Sequence, residues 1–309
     1  MIVEDNVVRV SLRRPEEAEG RLEGRQNRSF DPAAPFDELR NAALSSPALF
    51  GLNLVVGVLV LILAAACGPV PRPADAYATA PDLLADMLAL RGRVRSLRAS
   101  GRIDHFGEQR VQGKMLAFAE PPDRLRVDLV SPLGSTLAVL TVAAGAFSMS
   151  DEREGRYWNG PAEPCNIARL IRIPLPAEDV IRVLAGSTPL IEGPSAVTWD
   201  EAGHYDVRIT GEGGASQLVE IGPDRDVLPL IRSRIVRDGE TVLDIRADRW
   251  GKVGDAHVPF EIRAAMPLEK EELLVRYDEG GVETNAEIPA EAWIHVFPDG
   301  AAIERVDCE

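Results

Sequence analysis

The chain is short of positive charge, of histidine and of cysteine, and it has no internal repeat. Lysine and arginine number 34 against 49 aspartates and glutamates, a net charge of −15. That balance excludes nucleic acid as a partner, because a phosphate backbone needs a basic face. The four histidines, His105, His204, His257 and His295, are scattered without metal-ligand spacing. No nucleophile elbow of the Gly-x-Ser-x-Gly type occurs. The two aspartates of Gly-Pro-Asp-Arg-Asp (222–226) read as turn chemistry, since calcium takes more oxygen ligands than they offer. Gly-Glu-Gly-Gly (211–214) lies between strand patterns and precedes no helix, so it makes no phosphate cradle. Neither catalytic residues, a metal nor a cofactor is expected.

What is present begins near the front. Between Asn41 and Val70 there is no charged residue, and Gly51–Cys67 is almost wholly apolar. A run of ~20 apolar residues can cover the hydrocarbon core of a bilayer. It ends in Leu-Ala-Ala-Ala-Cys (63–67), which resembles a bacterial lipobox, so Cys67 is expected to carry acyl chains after cleavage before it. The alternative is an ordinary transmembrane helix ending in Ala-Cys. Residues 1–40 are polar and of mixed charge, the composition of a disordered leader, or of residues ahead of a translation start that lies further in. Residues 41–67 form the signal or anchor segment, and the proline-rich residues 68–80 form a linker. By resemblance to bacterial lipoproteins, Gly68 rather than Asp after the cysteine implies the outer membrane. Cys165 and Cys308 then remain, and two thiols in an oxidising periplasm suggest a disulfide, the alternative being two free thiols.

Residues 81–309 read as one domain. Pro81–Arg98 places Leu83, Leu84, Met87, Leu90 and Val94 at helical spacing. About eleven strands follow in meander order, interrupted by two helices over "PCNIARLI" and "AEDVIRVLAG". In Arg124–Val130 the alternation turns Leu125, Val127 and Leu129 to one face and Arg124, Arg126 and Asp128 to the other. The expected fold is mainly β: an unclosed, strongly curved antiparallel barrel with a helical lid over an apolar cavity. Leu125, Val127, Leu129, Ile181 and Leu184 are expected to line that cavity. Ser131–Thr136, "SPLGST", has the Pro-x-Gly chemistry of a hairpin tip, yet it carries a leucine, Leu133.

The lipobox, "LRASGRI", "DRLRVDLVSPLGSTLAVL" and "IPLPAEDVIRVLAG" occur in an order that resembles the LolB family of outer-membrane lipoprotein receptors. The resemblance covers roughly residues 85–186. It implies a half-barrel with a helical lid that catalyses nothing, takes acyl chains of lipidated cargo proteins from a LolA-like periplasmic carrier, and passes them to the membrane. It also implies that Leu133 protrudes and enters the bilayer. A lipid-binding or structural lipoprotein that transfers nothing is the alternative.

Overall fold

The computed structural model describes residues 68–108 and 110–308. The leader, the apolar segment and Cys67 lie outside these residues. Among the described residues no helix is long and apolar enough to cross a membrane.

Alternating side chains build the sheet. β3 (Arg124–Val130) buries Leu125, Val127 and Leu129 and leaves Arg124, Arg126 and Asp128 on the outer face. Its neighbours β2 (Val111–Glu120) and β4 (Thr136–Ala143) hold the same register, so Ala117, Val127 and Leu140 meet in one inner row. Outward positions carry cross-strand ion pairs instead. Arg276 Nε lies 3.1 Å from Glu261, and Arg276 Nη1 lies 3.2 Å from Asp104. Such pairs suit a half-solvated face.

Among the described residues fourteen strands form one sheet, three more than the alternation reveals. They are β1 (Leu97–Phe106), β2, β3, β4, β5 (Ala146–Asp151), β6 (Arg156–Pro161), β7 (Ser195–Asp200), β8 (His204–Thr210), β9 (Ser216–Ile221), β10 (Leu230–Arg237), β11 (Glu240–Val253), β12 (Ala256–Met266), β13 (Glu271–Thr284) and β14 (Ile303–Arg305). The additions are β6, β7 and β14, all at or beside an edge, where burial imposes little period. The spatial order β14-β6-β5-β4-β3-β2-β1-β13-β12-β11-β10-β9-β8-β7 also departs from a simple meander. Two meanders meet where β1 pairs with β13, and β14 joins β6 in parallel. The edge strands β14 and β7 do not pair, so the barrel is unclosed. At the β1–β13 seam Gly101 sits at a register shift, and a side chain there would strike the Arg276 carbonyl.

Among the described residues three α-helices accompany the sheet. α1 (Ala80–Arg91) starts where Thr79 Oγ1 accepts from the Asp82 amide at 3.3 Å. It ends seven residues sooner than its apolar spacing predicts, because Gly92 caps it and Val94 already belongs to the turn into β1. α2 (Pro164–Ile171) and α3 (Ala177–Leu184) carry the chain from β6, next to one edge, to β7 at the other. They bury Ile167, Ile171, Val180, Ile181, Val183 and Leu184 against the sheet. Each such side chain contributes ~1.5–3 kcal/mol.

Residues 68–80 are not a free tether throughout. The Val70 amide donates to the Glu201 carbonyl at 2.9 Å, and Trp199 Nε1 donates to the Val70 carbonyl at 3.0 Å. Tyr77 is buried in the core, edge-on to Tyr205 with ring centroids 5.6 Å apart. The C-terminal tail crosses the outer face of β3 and β4. There Arg126 donates to the Ala292 carbonyl at 3.3 Å.

Candidate functional site

The sheet has two ends, and the site depends on which groups lie at each. At one end are the β3–β4 hairpin, the β5–β6 turn and the β12–β13 turn. At the other are the β2–β3, β7–β8 and β11–β12 turns. Leu133 tops the first end and is 97% exposed. Its hairpin is stiff. The Ser131 amide donates to the Ser135 carbonyl at 2.8 Å, the Gly134 amide donates to the Ser131 carbonyl at 3.0 Å, and the two serine hydroxyls bond at 2.7 Å. Gly134 takes φ +90, which the turn requires and a branched residue would resist. A second leucine, Leu268, stands half exposed in the β12–β13 turn at this same end. Sequence reasoning missed it, although Pro267-Leu268 repeats the Pro-Leu pair of the first tip.

The α2–α3 hairpin lies over the concave face with its elbow, residues 172–176, toward the Leu133 end. Arg169, Leu170 and Arg172 there share a space with Val111, Leu129 and Asp151. Both other ends of the lid are held at the far end of the sheet. Cys165, in the first turn of α2, is joined to Cys308 with Cα atoms 6.0 Å apart. The Leu184 carbonyl, at the end of α3, accepts from the Tyr277 hydroxyl at 3.0 Å. Burial pushes that phenol's pKa up. Gly186, with φ +86, then packs so closely on Trp250 and Pro259 that a side chain would not fit. The hairpin is thus fastened at its base, while its elbow is held by packing alone, through Ile173, which is 2% exposed, and Leu175.

Beneath the lid the interior is nearly full. One space of about 40 Å³ is walled by apolar groups including Ile103, Met115, Val127, Ile173, Leu175 and Leu184. A neighbouring space of about 60 Å³ shares Ile103, Val127 and Leu273 with it. Small-molecule sites run to ~300–1,000 Å³, so a ligand of any length needs the lid raised. Val127, Leu129 and Leu184 border these spaces. Leu125 is fully buried and borders neither. Ile181 faces a different place, an open cleft of about 430 Å³ between α1, α3 and the β2–β3 turn, at the far end of the sheet. That cleft, with Arg91 and Ser187 in its wall, left no periodic signal in the sequence.

Among the described residues, Glu163, Cys165 and Cys308 approach one another closely enough to suggest a metal site. Both sulfurs are spent in the disulfide, so the cluster offers no ligand set.

An open antiparallel half-barrel with a helical lid on an apolar inner face is the class of molecule defined here. No family model matches the chain, and no curated protein matches it. Among solved structures, a DUF1329 family protein from Desulfovibrio piger is similar, with a TM-score of 0.50 and 12% identity over 69% of this chain and 95% of that one. A LolA superfamily protein from Nitrosomonas europaea aligns with a TM-score of 0.46 and 10% identity, over 71% of this chain and 99% of that one. At 12% identity the likeness to the first is one of fold alone.

Proposed function

We propose that the protein is a lipoprotein of the outer membrane, held by acyl chains on Cys67, which accepts acylated cargo beneath its α2–α3 lid and releases it into the bilayer. The sequence resemblance to lipoprotein receptors and the half-barrel fold both support this reading. The observation that carries it is the shared end of the molecule: the exposed Leu133 tip stands at the end of the sheet toward which the elbow of the lid points. Arg153, Arg169 and Arg172 border the space under that elbow, and cationic groups there suit an anionic lipid surface. Leu133 in hydrocarbon contributes ~1.5–3 kcal/mol, enough to orient a tethered body and too little to anchor it. A LolA-like carrier is the proposed donor.

The test is Leu133→Glu. A carboxylate resists entering hydrocarbon, while the residue lies outside the core, so folding and cargo binding should be unchanged. Transfer of acylated cargo to liposomes should slow at least tenfold, with receptor–cargo complex accumulating. Transfer at the wild-type rate would end this reading.

A second reading is a lipid-binding or structural lipoprotein that transfers nothing. The small volume beneath the lid favours it. A disulfide engineered between the elbow and the sheet separates the two: it should abolish cargo uptake on the first reading and change nothing on the second.

A further inference from the structure

The 430 Å³ cleft lies at the end of the sheet opposite Leu133, and its chemistry differs from the interior. Its apolar wall includes Leu88, Val94, Leu97 and Ile181. Leu88 is 41% exposed, an apolar side chain with little to cover it. Its polar wall holds three guanidinium groups, Arg91, Arg95 and Arg182, against one carboxylate, Glu178. That is a net positive lining on a chain whose net charge is −15. Arg182 is committed to Glu178 and to Asp179, the latter at 3.3 Å. No acidic partner is found for Arg95 among the described residues.

Two buried polar atoms of wall residues have no hydrogen-bond partner among the described residues. Arg91 is 6% exposed and packs on the Trp250 ring, 4.2 Å from its centroid. Its terminal nitrogens donate to the carbonyls of Val227, of Leu228 at 3.0 Å and of His257 at 3.1 Å. Its Nε–H finds no acceptor among the described residues, and neither does the hydroxyl of Ser187, which is 1% exposed. A buried donor left unmade costs ~1–3 kcal/mol, and both belong to residues that line the cleft. An alkyl chain against Leu88, Leu97 and Ile181 with an anionic head against Arg91, Arg95 and Ser187 satisfies both halves of the wall. The volume lies within the ~300–1,000 Å³ of small-molecule sites.

We propose that this cleft binds a single-chain anionic lipid, an alkyl chain ending in a carboxylate or phosphate, head toward Arg91, Arg95 and Ser187. This goes beyond the delivery reading and does not depend on it, because neither Leu133 nor the lid elbow touches the cleft.

The test uses the full chain in dodecyl maltoside micelles with a diazirine-bearing palmitate analogue and its methyl ester as probes. The acid should label peptides containing Leu88 and Ile181, and the uncharged ester should label them about tenfold less, as expected for loss of charge-assisted hydrogen bonds. Ser187→Ala and Arg95→Gln, each checked for unchanged thermal unfolding, should bring labelling by the acid down toward that of the ester and leave the ester's unchanged. Dodecyl phosphate should displace the acid, as the phosphate head of the same ligand class; failure to displace it restricts the ligand to carboxylates. Equal labelling by acid and ester, labels mapping elsewhere, or no effect of the two substitutions would overturn the proposal. Displacement by inorganic phosphate alone would also overturn it, since the cleft would then be a simple anion site.

Discussion

His295 shows how much one tail residue can hold. Its Nδ1 lies 3.1 Å from the hydroxyl of Thr141, which is buried on the outer face of β4, and its ring rests on Phe297 with centroids 4.5 Å apart. Burial, with Arg126 nearby, pushes its pKa down from 6.5 to about 4. The folded pKa lies below the unfolded one, so between these values the unfolded state binds more protons. Stability at this residue is complete above pH 6.5 and is lost as the pH falls toward 4. The ring keeps some access to water, so the loss is about 1–2 kcal/mol rather than the full shift. Hydrogen exchange of residues 290–297 should therefore quicken at about pH 5 relative to about pH 7.5, after correction for intrinsic rates. His295→Phe should remove that dependence; a variant with the same pH response would assign the effect to another group.

At the scale of elements, the tail and the lid are one construction. β14 pairs in parallel with β6, the Val306 amide donates to the Asn159 carbonyl at 2.8 Å, and Trp158 Nε1 donates to Glu304 at 3.0 Å. The Cys165–Cys308 bond then ties this tail to the first turn of α2 across 143 residues. Closing a loop that long constrains the unfolded chain and contributes ~2–4 kcal/mol. Cys308→Ser should lower the unfolding free energy by about that amount, read as an earlier urea midpoint with little change in slope. It should also loosen the base of the lid, so amides of α2 exchange faster while those of α3, held through Leu184 and Gly186, do not. An unchanged midpoint would show that the tail unfolds apart from the barrel.

For the whole molecule the question is orientation. Val70 is docked on the β7–β8 turn, at the end of the sheet opposite Leu133. β3 alone, seven residues long, spans about 23 Å at ~3.3 Å per residue. Residues 68–70 are thus docked at the end of the sheet opposite the Leu133 tip. Released as far as Thr79, the twelve residues from Gly68 would reach about 40 Å when extended, longer than the span of β3. Trp199→Ala removes the hydrogen bond to the Val70 carbonyl and the edge contact with Tyr205, whose rings lie 5.1 Å apart. The Val70 amide should then exchange faster, and delivery to liposomes should rise if docking restrains the tip. Faster exchange with unchanged delivery would leave the docked segment without a role in transfer.

The inward set Leu125, Val127 and Leu129, the stiff tip at Leu133 and the two lid helices are legible in the sequence, because local period and turn chemistry dictate them. A residue's own neighbours decide those features, since a buried face imposes its rhythm on whatever strand or helix bears it. The partner that a face is buried against is not written in that rhythm. The seam between β1 and β13, the parallel pairing of β14 with β6 and the docking of Val70 on β7–β8 each join segments far apart in the chain. They were decided by where the lid returns the chain to the sheet. Edge strands escape notice for a related reason: β7 and β14 bury little, so alternation is weak in them. The cleft at Arg91 and Ser187 is invisible in the sequence, since its wall is drawn from α1, α3 and the β2–β3 turn. No one of these carries the charge balance of the cleft, and only their packing sets a buried guanidinium and a buried hydroxyl beside an apolar wall.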